Sequence, residues 1–529
     1  LILVWLALLN GLFLVPGLAL PGANPLISLE VLVIWALLCG LHNQNLRYRV
    51  TLALAVTYGL LAFLVLADTL IRESLGRGLN LYLEVRLLDA TWNLLDTNVG
   101  GAPAAIALTV LLVLLLALGW LFRFGLERLR HHSPGHLGKP LWLISGLALA
   151  GAVTPWIGSP ALAFVANQAS LIKETHRTTQ AFAAELAATP GRLDQPKRLT
   201  TLADTDVVFG FIESYGISTL TDVRYQPVIS QSLTSMAKQL TDAGLTVATG
   251  RLRSPIQGGQ SWLGHLSVLS GQWIKNQLAY ETFLSSGYST LIDDFRSTGH
   301  TTVAVMPAIT RAWPEGRLFR YDRVYDHDDL GYQGPPFNWV TMPDQYTWRR
   351  FQELREQESQ PLFAELALIS SHAPWVPILP ILDDWEAIGD GRVFRQWEGT
   401  GEAPVSLWRD PDRVREHFAK AISYALETAG GFAAHYVQED TLLILLGDHQ
   451  PAPLITGEDA SRDVIVHVIS ADPALVEPFL SGDLPGFRRG VIPDLQEEGA
   501  LMSRFRPFLH RQFSQPLLSG TVSRDLEDN

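Results

Sequence analysis

The stretch "TLLILLGDHQPA", residues 441–452, runs a mostly aliphatic segment straight into Gly447, Asp448 and His449, and then into a proline. Such a run bounded by turn residues reads as a buried strand. An acid and an imidazole just past its end read either as a polar turn or as metal-competent groups at a strand terminus. The segments upstream bear on that choice.

From residue 206 onward, short β-rich runs alternate with helical patterns. The strand candidates are 206–212 (DVVFGFI), 245–249 (LTVAT), 301–306 (TTVAVM), 362–370 (LFAELALIS), 441–446 and 464–469 (VIVHVI). This alternation predicts an α/β domain with a mostly parallel sheet covered by helices on both faces. In such sheets, ligands gather at the C-terminal ends of the strands. The first strand ends at Glu213, the one at 362 runs into His372 in "SSHAPW", and the opening strand ends at Asp448 and His449. Singly, each has an ordinary reading as a cap or a turn residue. Together, three strands deliver metal-competent groups to one edge.

A hydroxyl for group transfer stands in "SPIQGGQSWLGHLSVLSG", residues 254–271. Two glycines precede Ser261, and Trp262, Leu263, Leu266 and Leu269 follow at helical spacing. Ser261 is thus expected at a helix N-terminus, where free N–H groups and the dipole favour an alkoxide and an incoming phosphate. A plain serine N-cap is the alternative.

The chain has 529 residues and a formal net charge of −13. Its first 166 residues hold nine Lys+Arg and seven Asp+Glu, leaving 31 and 46 for the rest. An apolar N-terminal part is therefore joined to an acidic soluble one, and this acidity argues against nucleic acid as a partner. The lone cysteine, Cys39, excludes an intramolecular disulfide. Five apolar stretches, about 1–20, 27–41, 50–70, 102–122 and 141–165, predict a transmembrane domain over 1–165. Glu30 is tolerable in the second only near the interface. Arg47 and Arg49 in one link, and Arg123, Arg128, Arg130 and Lys139 in another, place those loops in the cytoplasm. A helical connector, 166–205, then leads to an extracytoplasmic domain, 206–529. The loop 71–101 carries helical spacing and is expected to lie along the interface.

A Glu after the first strand, a hydroxyl residue after a Gly-rich loop, "SHAP", and "GDH" at a strand end, in that order behind five apolar spans, resemble the lipoteichoic acid synthases. They also resemble the related phosphoglycerol and phosphoethanolamine transferases of the alkaline phosphatase and sulfatase superfamily. By that resemblance, Glu213, Ser261, Asp448 and His449 hold one divalent cation, Mn²⁺ first and Mg²⁺ or Zn²⁺ as alternates, with Ser261 also the nucleophile. The usual nucleophile of these transferases is Thr, and Ser offers the same hydroxyl. His372 matches the histidine that contacts substrate phosphate or the leaving group. Arg311, Trp313 and Arg320, in the aromatic-rich stretch 309–348, are candidates for gripping a head group, or else parts of a structural surface loop. Asp326, His327, Asp328 and Asp329 read either as a separate cation site or, the favoured reading, as a solvated acidic turn.

Sulfatases make formylglycine from C/S-x-P-x-R, and Ser261 is followed by "WLGH", which disfavours sulfate-ester hydrolysis. The next histidine after "DH", His467, lies in an apolar strand and reads as a core residue, so one metal is favoured over two. The resemblance implies an enzyme of the bacterial inner membrane. It would move a phosphoglycerol or phosphoethanolamine group from a phospholipid donor to an extracytoplasmic glycan or lipid acceptor through a phosphoserine. A phosphodiesterase or phosphatase with the same intermediate, and a non-catalytic head-group-binding membrane protein, are the alternatives.

Overall fold

The computed structural model describes residues 1–14, 25–132, 144, 146, 147, 156–188, 196–457 and 459–514. The chain divides into two compact units, Leu1–Thr178 and Thr179–Asn529.

Among the described residues of the first unit the longer helices are α1 (Ile2–Leu14), α2 (Leu29–Gly40), α3 (Gln44–Leu75), α4 (Leu88–Val99), α5 (Gly101–His132) and α6, Pro160–Ala188, which runs on into the second unit. Among the described residues, α3 and α5 are long and apolar enough to cross a membrane. Their outward residues, Val56 and Leu60 on α3 and Leu112 and Leu116 on α5, are exposed, whereas Tyr58, Phe122 and Leu126 are buried. Lipid solvates such faces as well as a protein core would.

The expectation of five spans is thereby corrected to two among the described residues. Helix α2 has 12 residues, about 18 Å at the helical rise, well short of the roughly 30 Å of hydrocarbon. It stops at Gly40, and Asn43 caps the next helix by accepting from the N–H groups of Asn45 and Leu46 at 2.9 and 3.2 Å. Residues 15–20 of the first expected span and most of 141–155 lie outside the described residues. Residues 157–158 pair in parallel with 27–28, and α6 begins inside the last expected span and continues through most of the connector. Glu30 accepts from the backbone N–H groups of Ala161 and Leu162 at 2.9 and 3.2 Å, and from Ser28 Oγ at 2.7 Å. Its charge therefore sits on the N-terminus of α6, where unpaired donors and the helix dipole favour an anion.

Among the described residues, the second unit is built on a nine-stranded sheet. Its strands are β1 (Asp206–Ile212), β2 (Thr246–Arg253), β3 (Thr301–Val305), β4 (Arg323–Tyr325), β5 (Leu362–Leu368), β6 (Thr441–Gly447), β7 (Asp463–Ser470), β8 (Arg488–Arg489) and β9 (Ala500–Leu501). The order is β8-β2-β7-β6-β1-β5-β3-β4, with β9 also on β2. The pairs from β6 to β4 are parallel, as expected, but β7 runs antiparallel to both β6 and β2. The sheet is mixed because the described chain between β6 and β7 returns without a crossover helix of the kind a parallel pair requires.

Side chains alternate across this sheet. Val208, Ile212, Leu443 and Leu445 face one core, with α7 (Gln226–Asp242), α10 (Asp344–Arg355) and α11 (Pro411–Tyr436). Val207, Phe209, Phe211, Leu442, Ile444 and Leu446 face the other, with α8 (Ser261–Ser270), α9 (Leu291–Thr298) and α12 (Phe505–Phe513). Ile212 pairs with both Leu368 and Gly447. That register brings the residues after β1, β5 and β6 to one edge.

The second core is locked by a buried charge cluster. Asp294 accepts from Arg506 Nε at 2.7 Å, His510 Nε2 at 2.7 Å and the Lys197 N–H at 2.8 Å, tying α9 to α12. Burial pushes its carboxyl up, but hydrogen bonds from His510 and Arg506 and the Arg506 charge outweigh this and hold it below the usual range. Asp294→Ala strands Arg506 and is expected to cost about 3–5 kcal/mol, read as a lower thermal midpoint in detergent. Because the folded value is lowered, this contribution is present above the ordinary carboxylate value of about 3.9 and is lost as pH falls through the folded one. Wild type and variant should therefore converge in acid.

Candidate active site

Past β1, Glu213 keeps its N–H on the Leu368 carbonyl at 3.1 Å, and Ser214 then turns into the left-handed region at φ 60°. That turn aims the Ser214 N–H at Asp448 Oδ1, 2.8 Å away. The close approach requires Gly447, since a Cβ there would lie 2.1 Å from the Tyr215 carbonyl oxygen. Asp448 Oδ1 also accepts from the His449 N–H at 2.7 Å. His449 Nδ1 donates to the Gln450 carbonyl at 2.9 Å, which leaves the Nε2 lone pair facing the site.

Ser261 is the first residue of α8, and the chain enters it through Gly258, Gly259 and Gln260, all at positive φ. The Gly258 N–H donates to the Gln450 carbonyl at 2.8 Å, so this loop is registered against His449. Ser261 Oγ donates to Glu213 Oε2 at 3.2 Å and lies 3.3 Å from His449 Nε2. His449 Nε2 is in turn 3.4 Å from Glu213 Oε1 and 3.6 Å from Asp448 Oδ2. Glu213, Asp448 and His449 each offer a ligand atom within 4.8 Å of the others.

Two carboxylates side by side in a buried place repel unless a cation joins them. Burial and the neighbouring Glu213 push the Asp448 carboxyl up, against the pull of His449, His265 and a Ser261 hydrogen bond. At Glu213 burial also pushes upward, but His449, His372 and hydrogen bonds from Ser214 and Asp448 win and hold it down. Burial works against the charged form of His449, yet Asp448 and Glu213 raise it. Two carboxylates, an imidazole with its lone pair turned inward and a hydroxyl form a donor set that fits a divalent cation.

The other expected residues are placed as follows. His372 is half-buried, stacked on Trp339 with centroids 4.3 Å apart, and its Nδ1 donates to the Ala373 carbonyl at 2.7 Å. It lines a pocket with Phe337, Ser370, Trp375 and Tyr424. Arg311 is exposed, and Trp313 is half-buried against Phe319 at 5.6 Å. Arg320 pairs with Asp293 at 2.5 Å and donates to the Tyr288 carbonyl at 3.0 Å, so its guanidinium is committed to the start of α9. Asp326 Oδ1 accepts from the N–H groups of Asp328 and Asp329 at 3.0 and 3.2 Å, in a largely exposed turn. His467 is fully buried between Tyr215 OH at 3.0 Å and Thr249 Oγ1 at 2.8 Å.

Sequence reasoning missed the supports. Ser254 Oγ donates to the Asp448 carbonyl at 2.8 Å, and Gly264 packs so closely that a Cβ would lie 2.6 Å from that same oxygen. Gly264→Ala must therefore push α8 away from Asp448. It is expected to weaken divalent-cation binding about 10-fold or more, measured by calorimetric titration with Mn²⁺. The signal for it in the sequence was a glycine inside the helical pattern that follows Ser261.

No protein-family model matches this sequence, and no curated protein matches it either. Among solved structures, the lipoteichoic acid synthase LtaP from Listeria monocytogenes aligns over 51% of this chain and 67% of its own, at 13% identity and TM-score 0.36. The Streptococcus pyogenes phosphoglycerol transferase GacH, in complex with sn-glycerol-1-phosphate, covers 55% and 75% at 12% identity and TM-score 0.36. The integral membrane phosphoethanolamine transferase EptA from Neisseria meningitidis covers 86% and 84% at 12% identity and TM-score 0.40. In structure, the chain is similar to lipoteichoic acid synthase-like and phosphoethanolamine transferase-like proteins.

Proposed function

We propose that the chain is a membrane-anchored, metal-dependent phosphotransferase. It moves a phosphoglycerol or phosphoethanolamine group from a phospholipid to an extracytoplasmic glycan or lipid acceptor. The observation that carries this reading is Ser261 Oγ at 3.2 Å from Glu213 and 3.3 Å from His449, inside the Glu213, Asp448 and His449 cluster. The basic links at 42–49 and 123–140 support a cytoplasmic side for both. The apolar stretch that begins at 141 supports a further crossing, which carries the second unit to the outer side of the inner membrane.

Glu213, Asp448, His449 and Ser261 would hold the cation, Mn²⁺ by the family resemblance. When bound, it supplies neutralisation of phosphate charge and a lowered pKa for the serine hydroxyl. Ser261 Oγ attacks the head-group phosphorus, the bond from phosphorus to the lipid glycerol oxygen breaks, and diacylglycerol leaves. His372 gives that leaving oxygen its proton. An acceptor alcohol then displaces Ser261, returning a proton to His372 as its own oxygen joins phosphorus.

The test is incubation of the purified full-length protein with labelled phosphatidylglycerol or phosphatidylethanolamine and Mn²⁺. Diacylglycerol and a covalent head-group adduct are expected. Label passing to an added glycan marks a transferase, label passing only to water marks a hydrolase, and no metal-dependent turnover overturns the reading.

A further inference from the structure

Between α8 and the sheet lies a polar cluster that the reaction as described leaves unused. His265 stands one helical turn after Ser261, a spacing that puts two side chains on one face with Cβ atoms about 5–6 Å apart. Its ring stacks on Phe211 at 3.7 Å and 14°, which fixes its plane. Its Nδ1 donates to Glu365 Oε1 at 2.7 Å, and Tyr321 OH donates to Glu365 Oε2. Glu365 is 2% exposed, in the middle of the apolar strand β5. A buried carboxylate is costly unless paired, and here both oxygens are taken.

With Nδ1–H committed to a carboxylate, the neutral imidazole carries its lone pair on Nε2. That atom has no hydrogen-bond partner among the described residues, and the His265 side chain is 12% exposed. His265 also lies within electrostatic reach of Asp448. Glu213, Asp448 and His449 are turned to the cation in the proposed reaction, so none of them is free to keep the serine proton.

We infer that His265 is the group that receives the Ser261 proton, with Glu365 and Tyr321 as the positioning residues that set its tautomer and orientation. This rests on Ser261 being the nucleophile. As the Oγ–P bond forms and the bond from phosphorus to the lipid glycerol oxygen breaks, the hydroxyl proton passes to Nε2, and Glu365 stabilises the imidazolium. When the acceptor oxygen displaces Oγ, the proton returns to serine. His372 serves the opposite side of phosphorus, losing a proton to the lipid alcohol and regaining one from the acceptor.

The experiment follows single-turnover adduct formation in the full-length protein with Mn²⁺ and labelled phospholipid, alongside Mn²⁺ titration. His265→Ala is expected to slow the adduct step about 100-fold, leave Mn²⁺ affinity unchanged and regain rate with added imidazole. Glu365→Gln should slow the same step, and Tyr321→Phe should slow it less. Adduct formation at the wild-type rate in His265→Ala overturns the inference, as does a loss that imidazole does not restore. If His265→Ala does not fold, a wild-type rate in Glu365→Gln overturns it instead. A wild type that forms no adduct would sink the phosphoserine reading and this inference with it. A wild-type adduct formed equally fast by His265→Ala sinks this inference alone.

Discussion

Ser261→Ala is expected to abolish the covalent adduct and to cut diacylglycerol release on the order of 10⁶-fold, the size seen when a serine nucleophile is removed from a hydrolase. Among the described residues, two hydroxyls touch the Glu213 carboxylate, those of Ser214 at 2.7 Å and Ser261 at 3.2 Å, but Ser261 also reaches His449. Ser214→Ala is the control, because its backbone N–H, and not its side chain, holds Asp448. It should keep turnover within about 10-fold, as expected for loss of one hydrogen bond of roughly 1.5 kcal/mol. Ser261→Thr keeps the hydroxyl and should keep an adduct. Intact-mass spectrometry after incubation with phospholipid reads all three. Equal adduct in Ser261→Ala and wild type would place the nucleophile elsewhere.

The strand ends were legible because their local signals are strong. Apolar runs meet polar residues abruptly at Glu213, His372 and Asp448, and the glycines before Ser261 announce a tight entry into a helix. What local pattern cannot carry is direction and distance. The reversal of β7 depends on how residues 448–462 turn, and nothing in "VIVHVI" distinguishes a parallel from an antiparallel partner. The commitment of Arg320 to Asp293 was equally hidden, because the two are neighbours only after the chain between them has folded. Glu365 is the clue in the sequence that points to the second polar cluster. A charged residue inside "LFAELAL" either breaks the strand or has a buried partner, and its partners are His265 and Tyr321.

Asp448→Asn separates the metal reading from simple structural damage, because its two expected effects have opposite signs. The amide oxygen can still accept from the Ser214 and His449 N–H groups that hold Asp448 at 2.8 and 2.7 Å. The strand-end geometry therefore survives. Without a cation, the wild type holds two acids close together in a buried place, and removing one charge relieves that repulsion. The metal-free variant should unfold at a higher temperature than the metal-free wild type. With Mn²⁺ the order should reverse. A ligand at 100 times its Kd stabilises by about 2.7 kcal/mol, and the variant, with affinity reduced about 100-fold or more, should gain almost none of it. Thermal unfolding in detergent with EDTA and then with Mn²⁺ measures both. A variant less stable than wild type under both conditions would mean that Asp448 serves the fold alone, and a variant stabilised by Mn²⁺ as much as wild type would mean that the cation binds elsewhere.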